Sequence, residues 1–173
     1  TLPCVNEMCP EYLEYIITGD DSVVRHWLRL GADGFRLDVA DELPDAFIKI
    51  LHDTVHKEKP NSIVIGEVWE DASNKTAYDI RRRYFSDAEL DSVMNYPFMQ
   101  AIIALAREQT SAADFAASVM TIAENYPEPV LHRLMNSLST HDTARVITVL
   151  SGADMGMARD AKAHYVMTDD ETK

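Results

Sequence analysis

Strand-like and helix-like segments alternate along this chain of 173 residues, which restricts it to parallel strands joined by helical crossovers. Asp20 or Asp21 is placed to cap a helix with apolar positions at Val23, Val24, Trp27, Leu28 and Leu30, ending at Gly31. Ala32 to Val39 then reads as a strand, and a second helix starts at Pro44 and runs until Pro60 stops it. Ser62 to Val68 is continuous in Ile and Val, as a strand buried on both faces is. Leu90 to Met94 predicts a third strand and Leu134 to Leu138 a fourth, with helices from Pro97 to Ala106 and from Ser111 to Ala123 between them.

The fold class expected is therefore α/β, either an open doubly wound sheet or a closed barrel. No Gly-rich phosphate loop follows any strand, which removes the usual reason for a doubly wound sheet. Polar groups instead collect at the C-terminal ends of three separate strands, as at the mouth of a (β/α)8 barrel. Four strand-helix units are about half of the eight a barrel needs. Residues 1–173 are thus expected to form an arc of one barrel domain, unable to stand alone. The chain opens on Thr1 rather than Met and closes on Asp169-Asp170-Glu171-Thr172-Lys173, as a piece of something longer would.

Twenty-nine acidic against sixteen basic side chains give a net charge of −13, which repels nucleic acid and anionic lipid and suits a neutral or cationic partner. No run approaches the roughly 20 apolar residues a membrane span needs. The two cysteines, Cys4 and Cys9, lack metal-site spacing and are too few for a disulfide scaffold. They read as free thiols in a reducing, cytoplasmic compartment.

The strand ends carry the chemistry. Gly34-Phe35-Arg36-Leu37-Asp38 places an acid just past a strand with Arg36 two residues earlier on the same face; Glu67 ends the next strand, and Asp142 follows the fourth. Glycoside cleavage with retention needs a carboxylic acid and a carboxylate about 5 Å apart. Parallel neighbours lie roughly 4.8 Å apart, so Asp38 and Glu67 can meet that distance. The fixed charge of Arg36 favours ionised Asp38 as nucleophile, whereas Gly66, Val68 and Trp69 form an apolar setting that favours the protonated form a general acid requires. His141 and Asp142 are candidates to bond sugar hydroxyls, and Trp69 and Tyr96 to stack on sugar faces.

Each signal has a plainer account. Arg36 and Asp38 alone would read as an internal ion pair, and Asp142 as the cap of a helix over Thr143 to Leu150. His52 and His56 have the i, i+4 spacing of a zinc pair, but Asp53 stands where a hydrolytic Glu would be, so they read as surface histidines and no metal site is assigned. Arg81-Arg82-Arg83 reads as a solvated face, and Met94 and Phe98 as core.

In order and spacing these segments resemble the α-amylase family of glycoside hydrolases, within it the neopullulanase, cyclomaltodextrinase and maltogenic amylase group. Gly34 to Glu42 is similar to the family's nucleophile segment, Gly66-Glu67-Val68-Trp69 to its acid/base segment and Ser139-Thr140-His141-Asp142 to its transition-state segment. Leu2-Pro3-Cys4-Val5-Asn6 resembles a subgroup-marking segment, and Asp91 to Phe98 the sixth-strand region of the neopullulanase group. The resemblance implies a partial barrel, strands four to seven of eight. It also implies retaining hydrolysis of α-1,4 glucosidic bonds, with α-1,6 left open, in malto-oligosaccharides, cyclodextrins, pullulan or starch. Asp38 would be nucleophile, Glu67 acid/base and Asp142 stabiliser, with Arg36 and His141 in support. It implies no required cofactor, leaves calcium open, and suggests a homodimer for the full-length protein, with the isolated arc inactive. Ala40-Asp41 stands where many α-amylases have Lys-His and the neopullulanase group usually Ala-Asn, which leaves acceptor preference open. The alternatives are a non-catalytic amylase-like binding module and a transglycosylase or isomerase relative of the trehalose-synthase kind.

Overall fold

The computed structural model describes residues 5–152 together with His164, Val166 and Thr168. In chain order the elements are α1 (Pro10–Leu13) running into one π-type turn (Glu14–Thr18), α2 (Val23–Arg29), β1 (Gly34–Leu37), a 3-10 turn (Ala40–Glu42), α3 (Asp45–Glu58) and β2 (Ile63–Gly66). There follow β3 (Thr76–Ala77), β4 (Ile80–Arg81), β5 (Ser92–Val93), α4 (Tyr96–Ala106), α5 (Ala112–Asn125), α6 (Glu128–Leu131) and α7 (Val146–Leu150). They group into two compact units, Thr1–Asn95 with Ala123–Met135, and Tyr96–Ile122 with Asn136–Lys173. Leu2, Pro3 and Cys4 of the subgroup-marking segment lie outside the described residues; Cys9 is a free thiol that donates to Glu11 at 2.9 Å. Among the described residues no helix is long and apolar enough to cross a membrane.

The first unit is built on a parallel sheet. β1 pairs with β2 from Gly34↔Ile63 to Leu37↔Gly66, and β2 pairs with β5 at Ile65↔Ser92 and Gly66↔Val93. Strand order follows chain order without the reversal that marks a doubly wound sheet. The strand expected over Leu134 to Leu138 is reduced to a parallel bridge between Met94 and Met135. Helix α3 packs on β2 and α2 on α3, with Val24, Leu28, Ile48, Leu51, Val55 and Val64 all buried. Burial of such side chains supplies about 1.5–3 kcal/mol each before entropy is counted.

Several local expectations shift. The cap of α2 is Ser22, whose Oγ accepts from Arg25 N at 3.5 Å and donates to the Ile17 carbonyl at 2.8 Å; Asp20 instead pairs with Arg25 at 2.9 Å. Arg82 is not on a solvated face. It is buried, pairs with Asp45 at 3.0 Å, and donates to the Ala40 and Leu43 carbonyls, while its guanidinium lies 5.2 Å from the Tyr84 ring centre. Arg83, by contrast, stays exposed.

Beside that network Glu89 is 2% exposed, and its Oε2 has no hydrogen-bond partner among the described residues. Burial, reinforced by the negative charge of Asp45, raises its carboxyl from 4.5 to about 7. A carboxyl whose value rises on folding contributes stability that is complete below its unfolded value and is lost as the pH climbs through 7. The complete protein should therefore lose thermal stability between about pH 5 and about pH 8, and Glu89→Gln should flatten that loss, raising the melting midpoint at the upper pH by about 2–4 °C. Parallel pH profiles for both proteins would refute this assignment.

In the second unit, Ser111 caps α5, its Oγ accepting from Asp114 N at 3.1 Å and donating to the Asp114 carboxylate at 2.7 Å. The Phe98 and Phe115 rings of α4 and α5 lie 6.5 Å apart, and α7 packs on α4.

Candidate active site

Asp38 and Glu67 each sit one residue past the last paired position of β1 and β2, Leu37↔Gly66. The chain leaving β1 is stitched over the end of β2. Glu67 N donates to the Leu37 carbonyl at 3.0 Å, Ala40 N to the Glu67 carbonyl at 3.1 Å, and Val39 N to Glu67 Oε2 at 2.8 Å. The last bond requires Val39 at φ 41° and ψ 61°, a left-handed conformation that a β-branched residue adopts only under strain of about 1–3 kcal/mol.

Arg36, in mid-strand and facing the same way as Asp38, joins the two acids. Its guanidinium bonds Asp38 Oδ1 through one terminal nitrogen and lies 3.0 Å from Glu67 Oε1 through the other. Its Nε donates to Met94 Sδ at 3.4 Å. Met94, read from sequence as core, is indeed buried but also steadies the guanidinium; its place at the end of a third strand was the signal for that role.

The two carboxylates differ sharply in exposure: the Asp38 side chain is 74% exposed and that of Glu67 only 3%. Arg36 and Asp38 do form the ion pair of the plain account, and the same guanidinium reaches Glu67 as well. Glu67 is buried, as an apolar setting would have it, but it also meets the Arg36 guanidinium and Val39 N, so its surroundings are more polar than expected. Trp69, two residues on, is 39% exposed. Tyr96 is 2% exposed, so the expectation that it stacks on a ligand is corrected: its ring is occupied by the protein interior.

The residues after the nucleophile position are also held. Asp41 accepts from Tyr84 Oη at 2.6 Å and pairs with Lys75 at 3.0 Å, and Glu42 accepts from Tyr78 Oη at 2.6 Å. Burial first, and the bond to Asp41 after it, push the Tyr84 hydroxyl upward, so it stays a donor. Nothing in the polar loop carrying Lys75 and Tyr78 announced these contacts.

His141 and Asp142 belong to the second unit. Asp142 Oδ2 lies 3.2 Å from His141 Nε2, and both side chains are exposed. Helix α7 begins only at Val146 after Arg145, so Asp142 does not cap it. Threonine hydroxyls hold the turn instead: Thr140 N donates to Thr143 Oγ1 at 2.7 Å and Asp142 N to Thr140 Oγ1 at 3.2 Å. The Asp142 carboxylate is thereby spared a capping role.

Residues 6–169 match the family model for the alpha amylase catalytic domain. The chain is 34% identical over 153 residues to a cyclomaltodextrinase of Geobacillus thermopakistaniensis, covering 87% of this chain and 24% of that protein. It is 34% identical over 152 residues to neopullulanase 2 of Thermoactinomyces vulgaris, with the same two coverages, 87% and 24%. A solved cyclomaltodextrinase superposes with a TM-score of 0.72 at 30% identity, covering 86% of this chain and 24% of that one. The chain thus spans about a quarter of the length of the curated relatives it matches. Strand ends bearing Arg36, Asp38 and Glu67, on an α/β framework shared with these enzymes, lead to one conclusion: the chain belongs to the α-amylase catalytic-domain family.

Proposed function

We propose that the complete protein is a retaining glycoside hydrolase acting on α-1,4 glucosidic bonds, with α-1,6 bonds as a second class, and that this chain is the arc of strands four to seven of its (β/α)8 barrel. The observation that carries the reading is one guanidinium, Arg36, reaching two carboxylates at adjacent parallel strand ends. Neighbouring strands put such groups at about the 5 Å that direct attack on the sugar carbon requires.

In this reading Asp38 attacks the anomeric carbon while Glu67 gives its proton to the departing glycosidic oxygen; the C–O bond breaks and a glycosyl ester of Asp38 forms. Glu67, now a carboxylate, takes a proton from water, whose oxygen displaces Asp38 and restores both acids. The exposure of Asp38 suits a group that must reach substrate. Burial of Glu67, with its contacts to Arg36 and Val39 N, holds its carboxyl in one orientation. Asp142 stabilises the distorted ring, His141 and Arg36 support, and Trp69 stacks on a sugar face. These steps require only proton transfer and exchange of covalent bonds, so no cofactor enters them. The substrate is a neutral α-glucan or malto-oligosaccharide, in keeping with a net charge of −13. We place the full-length protein in the cytoplasm as a homodimer, and expect residues 1–173 alone to be inactive.

Incubating the complete protein with cyclodextrin, pullulan, starch and maltotriose, and following product anomers as they form, tests the reading. Release of α-anomers supports it. Initial β-anomers would show inversion and remove Asp38 as nucleophile; products longer than the substrate would show that sugar rather than water intercepts the ester.

A further inference from the structure

At the opposite end of the strands from the carboxylates, His52 and His56 do not behave as surface histidines. They stand one turn apart on α3 with ring centres 4.3 Å apart, and only 13% and 26% of their side chains are exposed. Both face Asp91, the residue just before β5. His56 Nε2 is 2.8 Å from Asp91 Oδ2 and His52 Nε2 is 3.7 Å from Asp91 Oδ1, so the two rings straddle one carboxylate. One nitrogen or oxygen from each of the three residues lies within 4.8 Å of the others.

We propose that His52, His56 and Asp91 bind a divalent transition metal of the zinc class. Two imidazoles and a carboxylate are the donor set that such ions prefer over calcium or magnesium. Ligands at about 2.0–2.1 Å from a tetrahedral ion lie about 3.3 Å from one another. The set of one donor atom from each residue lies within 4.8 Å, and each imidazole already stands 2.8 or 3.7 Å from one of the two Asp91 oxygens, so side-chain rotations close the site.

Two of the three ligands already have the outer hydrogen bond that fixes their orientation: His56 Nδ1 is 3.3 Å from the Pro60 carbonyl and Asp91 Oδ2 accepts from Val64 N at 2.8 Å. The buried His52 Nδ1 makes no hydrogen bond among the described residues and lies 3.5 Å from Asp53 Oδ1. His56 therefore meets oxygen acceptors at both ring nitrogens, an arrangement that a cation between Nε2 and the carboxylate satisfies. Arg133, 3.5 Å from Asp91 Oδ1, already offers positive charge, but half its side chain is exposed and it can swing away.

The ion would join α3 to the starts of β2 and β5, a strand's length from Glu67, at about 3.3 Å per residue. Its role is a clamp on the scaffold, separate from the glycosidase reading. Asp53, in the place where a hydrolytic Glu would stand, gives it no hydrolytic base of its own.

Titrating cobalt(II), then zinc, into the chelator-treated complete protein tests the proposal. The expected result is one equivalent bound at micromolar concentration or tighter, with the visible absorption of four-coordinate cobalt and a raised melting midpoint. Loss of an outer partner alone costs about 10–100-fold in affinity, so loss of a direct ligand in His52→Ala should cost more than about 100-fold. Asp91→Asn retains an acceptor for Val64 N and provides a folded second variant should the first fail to fold. Absence of stoichiometric binding by the unmodified protein, or equal affinity in a folded ligand variant, overturns the site.

Discussion

Asp38→Asn in the complete protein is expected to lower kcat/KM on maltotriose by about 10⁴-fold or more, the scale seen when a covalent nucleophile is removed. The amide keeps the shape of the carboxylate but cannot form the ester. Because Asp38 is 74% exposed, its pair with Arg36 is worth about 0–1 kcal/mol, and the variant should melt close to the parent. Glu67→Gln should behave differently. A general acid supplies about 10²–10⁴-fold, and only where the leaving group needs a proton. Formation of the ester should therefore be slowed far more with maltotriose than with a glucosyl fluoride, whose leaving group departs unaided. An equal loss on both substrates would indicate a collapsed site, and unchanged turnover in either variant would remove that residue from the mechanism.

Gly34→Ala should be the most damaging single change to the fold. Gly34 has φ +154°, and an added Cβ would stand 1.9 Å from the Ile63 carbonyl oxygen and 2.8 Å from Ile63 N and C. Those atoms are backbone of the paired strand and cannot rotate aside, so β1 and β2 must part where they begin. The cost should exceed about 4 kcal/mol, visible as loss of the cooperative melt or of folded protein on expression. Gly31→Ala is the control. Its φ is +110°, but nothing lies within 4 Å of the added carbon, so only the backbone term of about 1–2 kcal/mol applies. Equal destabilisation by the two changes would show that conformation, and not strand approach, sets the requirement at Gly34.

What could be read in advance was what local chemistry decides. The Ile and Val content of β2, the Pro44 start of α3 and the two carboxylates one step past paired residues all followed from composition and period. The fourth strand did not. Its apolar run is present, yet a strand exists only where a neighbour offers a ladder, and β5 beside it has two residues. The hairpin of β3 and β4 was invisible because its turn is Tyr78-Asp79, both at positive φ, where Asn-Gly would have announced it. Tyr78 is instead held from outside by Glu42, a contact 36 residues away in sequence. His52 and His56 were visible as a spacing; Asp91, the group that gives the spacing meaning, is brought to them by the β2 to β5 pairing.

The left-handed backbone at Val39 has a consequence for stability. Glycine or asparagine there would take the same bend without a β-branched side chain to oppose it, and either still supplies the amide that meets Glu67. The bend is thus a reserve of stability that one codon change would release with the carboxyl still held.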